Sequence, residues 1–293
     1  MQTDGRPGSP PFLDGMVPPP TPLHLQWFGR TDRGKVRPNN EDSFLGLQFD
    51  GREVRRLGAV GQAPTAQHDF AFAVSDGMGG AMAGEYASQI AVEKITTLLP
   101  KSYQQAAAGL DDGFVDVLEE LFSQVHRALV YLGQCYEECR GMETTLSLCW
   151  FKPGLLCFAH IGDSRIYHLP ARQSGIRQLT HDDTYVGWMF RNGKLNEREA
   201  RAHPRRNMLQ KALGGGNQFV DPQVGTVPYR PGDAFLLCTD GLFEGLYDAQ
   251  LEDLLRSPEF NRPDVNPAIR LVEESIARSG RDNTTALIIR VGE

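Results

Sequence analysis

From residue 114 to 139 the apolar residues recur at three-four spacing (Phe114, Val117, Leu118, Leu121, Phe122, Val125, Leu129 and Leu132), and from Thr144 onward the period is that of strands. This switch of period limits the fold more than any other feature. One helix before it is expected over 84–99, ended by Pro100, and the second over 114–139. Strands are expected ahead of the helices at 24–28, 43–49 and 70–75, the last stopping in an Asp76-Gly77 turn. Behind them, 144–151 and 155–161 flank Lys152-Pro153-Gly154 as a hairpin. Further strands are expected at 165–169, 176–179, 220–227, 234–239 and 285–291, with helices at 248–255 and 267–279. Strands and helices are segregated rather than alternating, which argues for an α+β fold. Residues 50–69, with glycine, charge and a proline, read as a long surface connection, and 180–213 is polar and helix-prone with little core pattern.

Residues 1–22 carry prolines at 7, 10, 11, 18, 19, 20 and 22 and almost no apolar periodicity, so they are expected to form a disordered tail that cannot offset its ordering entropy. The whole chain of 293 residues is 40% hydrophobic and 23% charged, and residues 23–293 are long enough to bury one large core. A net charge of −7 excludes nonspecific nucleic-acid binding, which needs a basic surface. Nowhere do 18 apolar residues run together, so no membrane-spanning helix is expected. The N-terminus has no basic segment followed by an apolar one, and the five cysteines match no disulfide framework. A reducing cytoplasm is therefore the expected location. Cys135 and Cys139 stand four apart on the second helix, but no second pair of soft ligands accompanies them.

Three aspartates stand out by context: Asp76 in Val74-Ser-Asp-Gly77, Asp240 in Cys238-Thr-Asp-Gly241, and Asp282 in Arg281-Asp-Asn283. The first two follow apolar strands and precede glycine. A single Asp-Gly makes a turn and nothing more. Repetition of the pattern, with Asp163 between two strands and Glu41-Asp42 near Arg37, points to an oxygen-ligand site for hard cations with an anion-binding arginine beside it. The run 79–85 lacks the lysine of a phosphate loop. Ser75 and Ser164 lie in no nucleophile elbow, and His160, His168 and His181 read as structural.

Six ordered motifs then resemble the signatures of the protein phosphatase 2C family, in its bacterial branch. They are Arg37-Pro-Asn-Asn-Glu-Asp42, Ser75-Asp-Gly-Met-Gly-Gly80, Gly141-Met-Glu-Thr-Thr145, His160-Ile-Gly-Asp-Ser-Arg165, Thr239-Asp-Gly-Leu242 and Asp282-Asn-Thr-Thr285. The resemblance covers residues 23–291. It implies a four-layer α-β-β-α sandwich, two antiparallel sheets flanked by helices, with two divalent cations, manganese or magnesium, at one end. By the resemblance Asp76 bridges both cations, the Gly77 carbonyl binds one, and Asp240 and Asp282 bind the other. Asp163 with Asp240 matches a third, weaker site. Asp42 holds metal-bound water, and Arg37 clamps the substrate phosphate. The implied reaction is hydrolysis of phosphoserine and phosphothreonine by in-line attack of a hydroxide bridging the cations, with no phosphoenzyme.

The resemblance also implies phosphorylated proteins as partners, a cognate serine/threonine kinase and a monomeric enzyme. One departure is Met78, where eukaryotic members carry a histidine proposed as general acid. Methionine cannot donate a proton, which leaves the cations with nearly all of the catalytic task. Residues 180–213 match a mobile flap beside the site, whose Arg191, Lys194, Arg198, Arg201, Arg205 and Arg206 are candidates for steering substrates. The competing readings are a silent phosphoprotein-binding module, which would be expected to have lost metal aspartates, and a hydrolase of small phosphate esters.

Overall fold

The computed structural model describes residues 23–50, 52–79, 82–107, 113–217, 220–260, 262 and 265–293. The expected tail over 1–22 lies outside them. The chain begins with β1 (His24–Asp32), β2 (Asp42–Phe49), β3 (Val54–Arg56), β4 (Val60–Pro64) and β5 (Asp69–Met78), followed by α1 (Ala83–Ala107) and α2 (Phe114–Cys135). Five strands follow: β6 (Glu143–Thr144), β7 (Leu146–Lys152), β8 (Leu155–Ile161), β9 (Arg165–Leu169) and β10 (Arg177–Gln178). Then come α3 (Tyr185–Arg191), α4 (Glu197–Ala202), β11 (Leu213–Gly214), β12 (Gln223–Pro228) and β13 (Ala234–Cys238). The chain closes with α5 (Asp240–Gly245), α6 (Asp248–Arg256), α7 (Pro267–Arg278) and β14 (Thr284–Gly292).

The strands form two sheets with antiparallel pairing. One runs β10-β9-β13-β14-β1-β4, and the other β11-β6-β5-β7-β8-β12 with β2 and β3 added beside β5. Residues along each central strand alternate between two buried faces. Phe70, Phe72 and Val74 of β5 meet Phe235 and Leu237 of β13 and Leu287 and Ile289 of β14 between the sheets. Aromatic rings fill this layer edge to face, Phe72 to Phe151 at 5.8 Å and Phe151 to Phe235 at 5.3 Å. On the opposite face of β5, Ala71 and Ala73 are small enough to admit α1, whose Ala87, Ala91 and Ile95 pack there with Leu118, Phe122 and Val125 of α2. The outer face of the other sheet, with Tyr167, Leu236 and Ile288, is covered by Leu242, Leu251 and Leu271 from α5, α6 and α7. Burial of each large apolar side chain stabilises by about 1.5–3 kcal/mol. The architecture is the expected four-layer α-β-β-α sandwich.

Five sequence expectations need correction. β5 does not stop before Asp76 but pairs through it, Asp42 opposite Asp76 and Met78 opposite Glu143. Pro100 lies inside α1, because the apolar face carrying Val92, Ile95 and Leu99 outweighs one lost backbone bond. α2 ends at Cys135, and a short 3-10 turn over Glu137–Cys139 follows. Within 50–69, β3 and β4 are sheet additions whose side chains are largely exposed, so backbone pairing rather than hydropathy marks them. Asp240 does not sit in a turn; it opens α5.

Candidate active site

The ends of the two sheets bring the candidate carboxylates to one place. Asp42 opens β2 and lies opposite Asp76 in β5. Asp240 lies two residues after β13, Asp282 lies two residues before β14, and those two strands pair with Cys238 opposite Ala286. Asp163 occupies the turn between β8 and β9. The charges of Asp42, Asp240, Asp163 and Asp282 all act on Asp76, which burial first pushes well above the usual carboxylate range. Burial, then Asp163 and Asp282, raise Asp240 in the same way. Asp163 is pushed up to about 7 by burial and by Asp182, against the pull of Arg165.

Asp42 joins the two sheets. Its Oδ2 accepts hydrogen bonds from Thr239 Oγ1 at 2.7 Å and Thr285 Oγ1 at 2.6 Å, at the ends of the two strands opposite. Burial lifts its carboxyl to about 7 although both hydroxyls pull it down. The main chain of Asp76 is fixed by the threonine pair of the third motif: Thr145 Oγ1 accepts from its N–H, and Thr144 Oγ1 and the Thr145 N–H donate to its carbonyl. Asn283 Oδ1 accepts from the Glu41 N–H at 2.8 Å, while its Nδ2 donates to the carbonyls of Arg33 and Asn39. That side chain closes the loop bearing Arg37 onto the strand bearing Asp282. Sequence reasoning assigned no role to Thr144, Thr145, Thr239, Thr285 or Asn283. All five stand in the motifs quoted above, and Thr239 and Asn283 also flank Asp240 and Asp282.

The glycines after Asp76 and Asp240 have a packing cause. A Cβ on Gly77 would lie 1.9 Å from the Gly84 carbonyl oxygen, and one on Gly241 2.0 Å from that of Asn283. No side chain fits in either place. The two glycines let α1 approach β5 and α5 approach the start of β14.

Asp42 Oδ1 and Asp240 Oδ1 are buried with no hydrogen-bond partner. Buried carboxylates without donors, raising one another, need a counter-charge. Among the described residues no three His, Cys, Asp or Glu side chains converge on one point. A donor set of carboxylate oxygens suits hydrated hard cations, which take one or two carboxylates each and keep several waters. The protein cation found at the carboxylates is Arg37, whose guanidinium donates to Asp282 Oδ2 at 2.7 Å. The expected phosphate clamp and an expected metal ligand are thus bonded to each other.

The 180–213 segment is tied to the same end of the sandwich. Asp182 takes a bidentate pair of bonds from Arg165 at 2.9 and 2.7 Å, and Asp183 accepts from the Gly162 N–H. These two acids fix the turn that carries Asp163. Five of the seven lysines and arginines in the segment are engaged: Arg191 on the Asp182 carbonyl, Lys194 over Trp188 at 4.1 Å, Arg201 on the Phe243 and Leu246 carbonyls, Arg206 on Glu244 at 3.0 Å, and Lys211 on Asp221 at 2.8 Å. The guanidiniums of Arg198 and Arg205 are exposed, with no partner among the described residues. Ser75 and Ser164 are buried and bonded to Thr144 and Thr145. His160 sits between Ser147 and the Gly162 carbonyl, with its pKa lowered by burial. His168 is buried and stacks on Phe235. All five cysteines are free.

The protein phosphatase 2C family model matches residues 59–280. Serine/threonine protein phosphatase PstP of Mycobacterium tuberculosis is 33% identical over 274 residues, covering 92% of this chain and 45% of PstP. The chain thus spans less than half the length of that relative. Serine/threonine phosphatase stp of Listeria innocua is 31% identical over 269 residues, covering 91% of this chain and 95% of stp. Among solved structures, the catalytic domain of PstP in complex with two manganese ions superposes with a TM-score of 0.70 at 30% identity, covering 92% of this chain and 100% of that one. By sequence and by fold alike, the chain belongs to the protein phosphatase 2C family.

Proposed function

We propose that residues 23–293 form the catalytic domain of a metal-dependent serine/threonine protein phosphatase, with 180–213 as its flap. The observation that carries this reading is the group of buried, mutually repelling carboxylates, two with unpartnered oxygens, beside an arginine at the sheet ends. Asp76, the Gly77 carbonyl, Asp240 and Asp282 would hold two divalent cations, manganese or magnesium, and Asp163 with Asp240 a third. When bound, such cations supply Lewis acidity toward the phosphoryl group and lower the pKa of a water nucleophile.

The chain's own residues do the rest. Asp42, held by Thr239 and Thr285, keeps one oxygen unpartnered to accept a proton or orient water. Arg37 turns from Asp282 to the phosphate, whose paired oxygens match its planar fork. Met78, at the end of β5, offers no proton to the leaving group. The names of the relatives support phosphoserine and phosphothreonine proteins as substrates; a partner serine/threonine kinase is what the family resemblance implies. Among the described residues no helix is long and apolar enough to cross a membrane. We place the activity in the cytoplasm, in a monomer.

Purified protein with manganese or magnesium should release phosphate from a phosphothreonine peptide, and a chelator should stop it. Asp240→Asn and Asp282→Asn should each lower turnover at least about 100-fold, by analogy with loss of one electrostatic stabiliser. Near-normal turnover in either variant, or a preference for nucleotides over phosphothreonine peptides, would overturn the reading.

A further inference from the structure

A cavity of about 610 Å³ lies between the flap and α5 and reaches Asp163 and Asp240 at the candidate active site. That volume falls within the range of about 300–1,000 Å³ common to ligand pockets. Its apolar wall is made by Val186 and Phe190 of α3 and Phe243 of α5. Phe190 stands out because it is a large ring left 45% exposed.

The charged groups around these rings are already engaged. Arg165 is held by Asp182 and lies 3.7 Å over the Phe243 ring. Arg206 is paired with Glu244, and Arg278 with Glu274. Arg201 donates to the Phe243 and Leu246 carbonyls and is paired with Glu197. A charged occupant would find those partners taken. Beside these engaged groups, the apolar surface left to an occupant is the half-exposed ring of Phe190. Arg281 stands exposed in its lining, with no partner among the described residues.

We propose that this cavity is the subsite for a side chain flanking the phosphorylated residue, and that it selects an apolar one. The inference rests on the phosphatase reading above, because continuity with Asp163 and Asp240 is what places a peptide neighbour there. Phe190 is then a specificity-determining residue, acting through contact with the peptide and not on the phosphoryl group.

The test uses the whole chain with manganese and a set of phosphothreonine peptides differing at one flanking position, with Leu, Gly, Asp or Lys there. At one position kcat/KM for Leu should exceed that for Gly by at least about tenfold, the size of selection that a hydrophobic pocket gives. The ratio should fall to within about twofold in Phe190→Ala and return in Phe190→Leu. Phe190 is half exposed, so Phe190→Ala empties no core position, and the wild-type ratio reads the subsite independently of any variant. An unchanged ratio in Phe190→Ala, no Leu preference at any position, or an Asp preference lost in Arg281→Ala overturns the subsite while leaving the phosphatase reading intact. Failure of the wild type to hydrolyse any of the peptides overturns the phosphatase reading, and the subsite with it.

Discussion

A methyl group at residue 77 has nowhere to go, because the Gly84 carbonyl oxygen lies 1.9 Å from where Cβ would be and the Glu41 carbonyl oxygen 2.9 Å. Both neighbours are backbone and cannot swing aside. Gly77→Ala must therefore push α1 away from β5 or bend β5 beside Asp76. Overpacking of this kind costs about 1–3 kcal/mol and occasionally more. The expected result is a lower melting temperature in thermal denaturation, together with weaker binding of manganese in titration calorimetry. A variant that melts and binds like the wild type would show that the contact yields easily. Gly154, in the β7–β8 turn, meets nothing within 4 Å at its Cβ position, and its φ of +75° is the whole of its constraint. The two kinds of glycine look alike in sequence, since each reads as a turn after an apolar run, although Gly77 lies inside β5.

At the scale of elements, the flap separates used charge from free charge. Arg201 and Arg206 are bonded to α5, so their role is to seat the flap. Arg198 and Arg205 are exposed with no partner among the described residues, so a steering role is tested on them. Arg198→Glu with Arg205→Glu should lower kcat/KM for an acidic phosphoprotein several-fold at low salt, with the effect shrinking as ionic strength rises. Equal loss on a small aryl phosphate would refute steering of the protein substrate. The same element shows what sequence could and could not reveal. The strands of the sandwich were legible because both faces are buried and they read as apolar runs, as in β7 and β13. The edge strands β3 and β4 were not, because their ladder bonds leave no hydropathy trace. α5 was missed because six residues carry too little period to register, and its first residue doubled as a strand-end aspartate. The aspartates themselves were legible from Asp-Gly repetition and motif order. The threonines that hold Asp42 were not, because a buried hydroxyl that donates to a carboxylate looks like any other strand threonine.

At the scale of the molecule, both sheets converge on uncompensated negative charge. Asp42 and Asp76 come from one sheet, and Asp240 and Asp282 from the ends of β13 and β14 in the other. Asp42 and Asp163 are each lifted to about 7 from an unfolded value of 3.8. In the range between these values the folded state binds more protons than the unfolded one, so stability falls as pH rises. Below about 4 both states are protonated and the groups contribute nothing to the slope. Above about 7 both are ionised and the full cost of burying the charges remains. Protein stripped with a chelator should therefore melt at a lower temperature at pH 8 than at pH 5.5, by about 5 °C or more, since about 1 kcal/mol moves a large domain by roughly 2–4 °C. Divalent cations bind the ionised carboxylates of the folded state and so oppose the fall. At about 100 times the dissociation constant, one site adds about 2.7 kcal/mol. Saturating manganese should raise the melting temperature most at pH 8 and flatten or reverse the slope. A metal-free protein whose stability is level or rises between pH 5.5 and 8 would mean that the carboxylates are compensated from within the chain. Arg37 would then be the first residue to replace, since its bond to Asp282 is the direct internal compensation at the site.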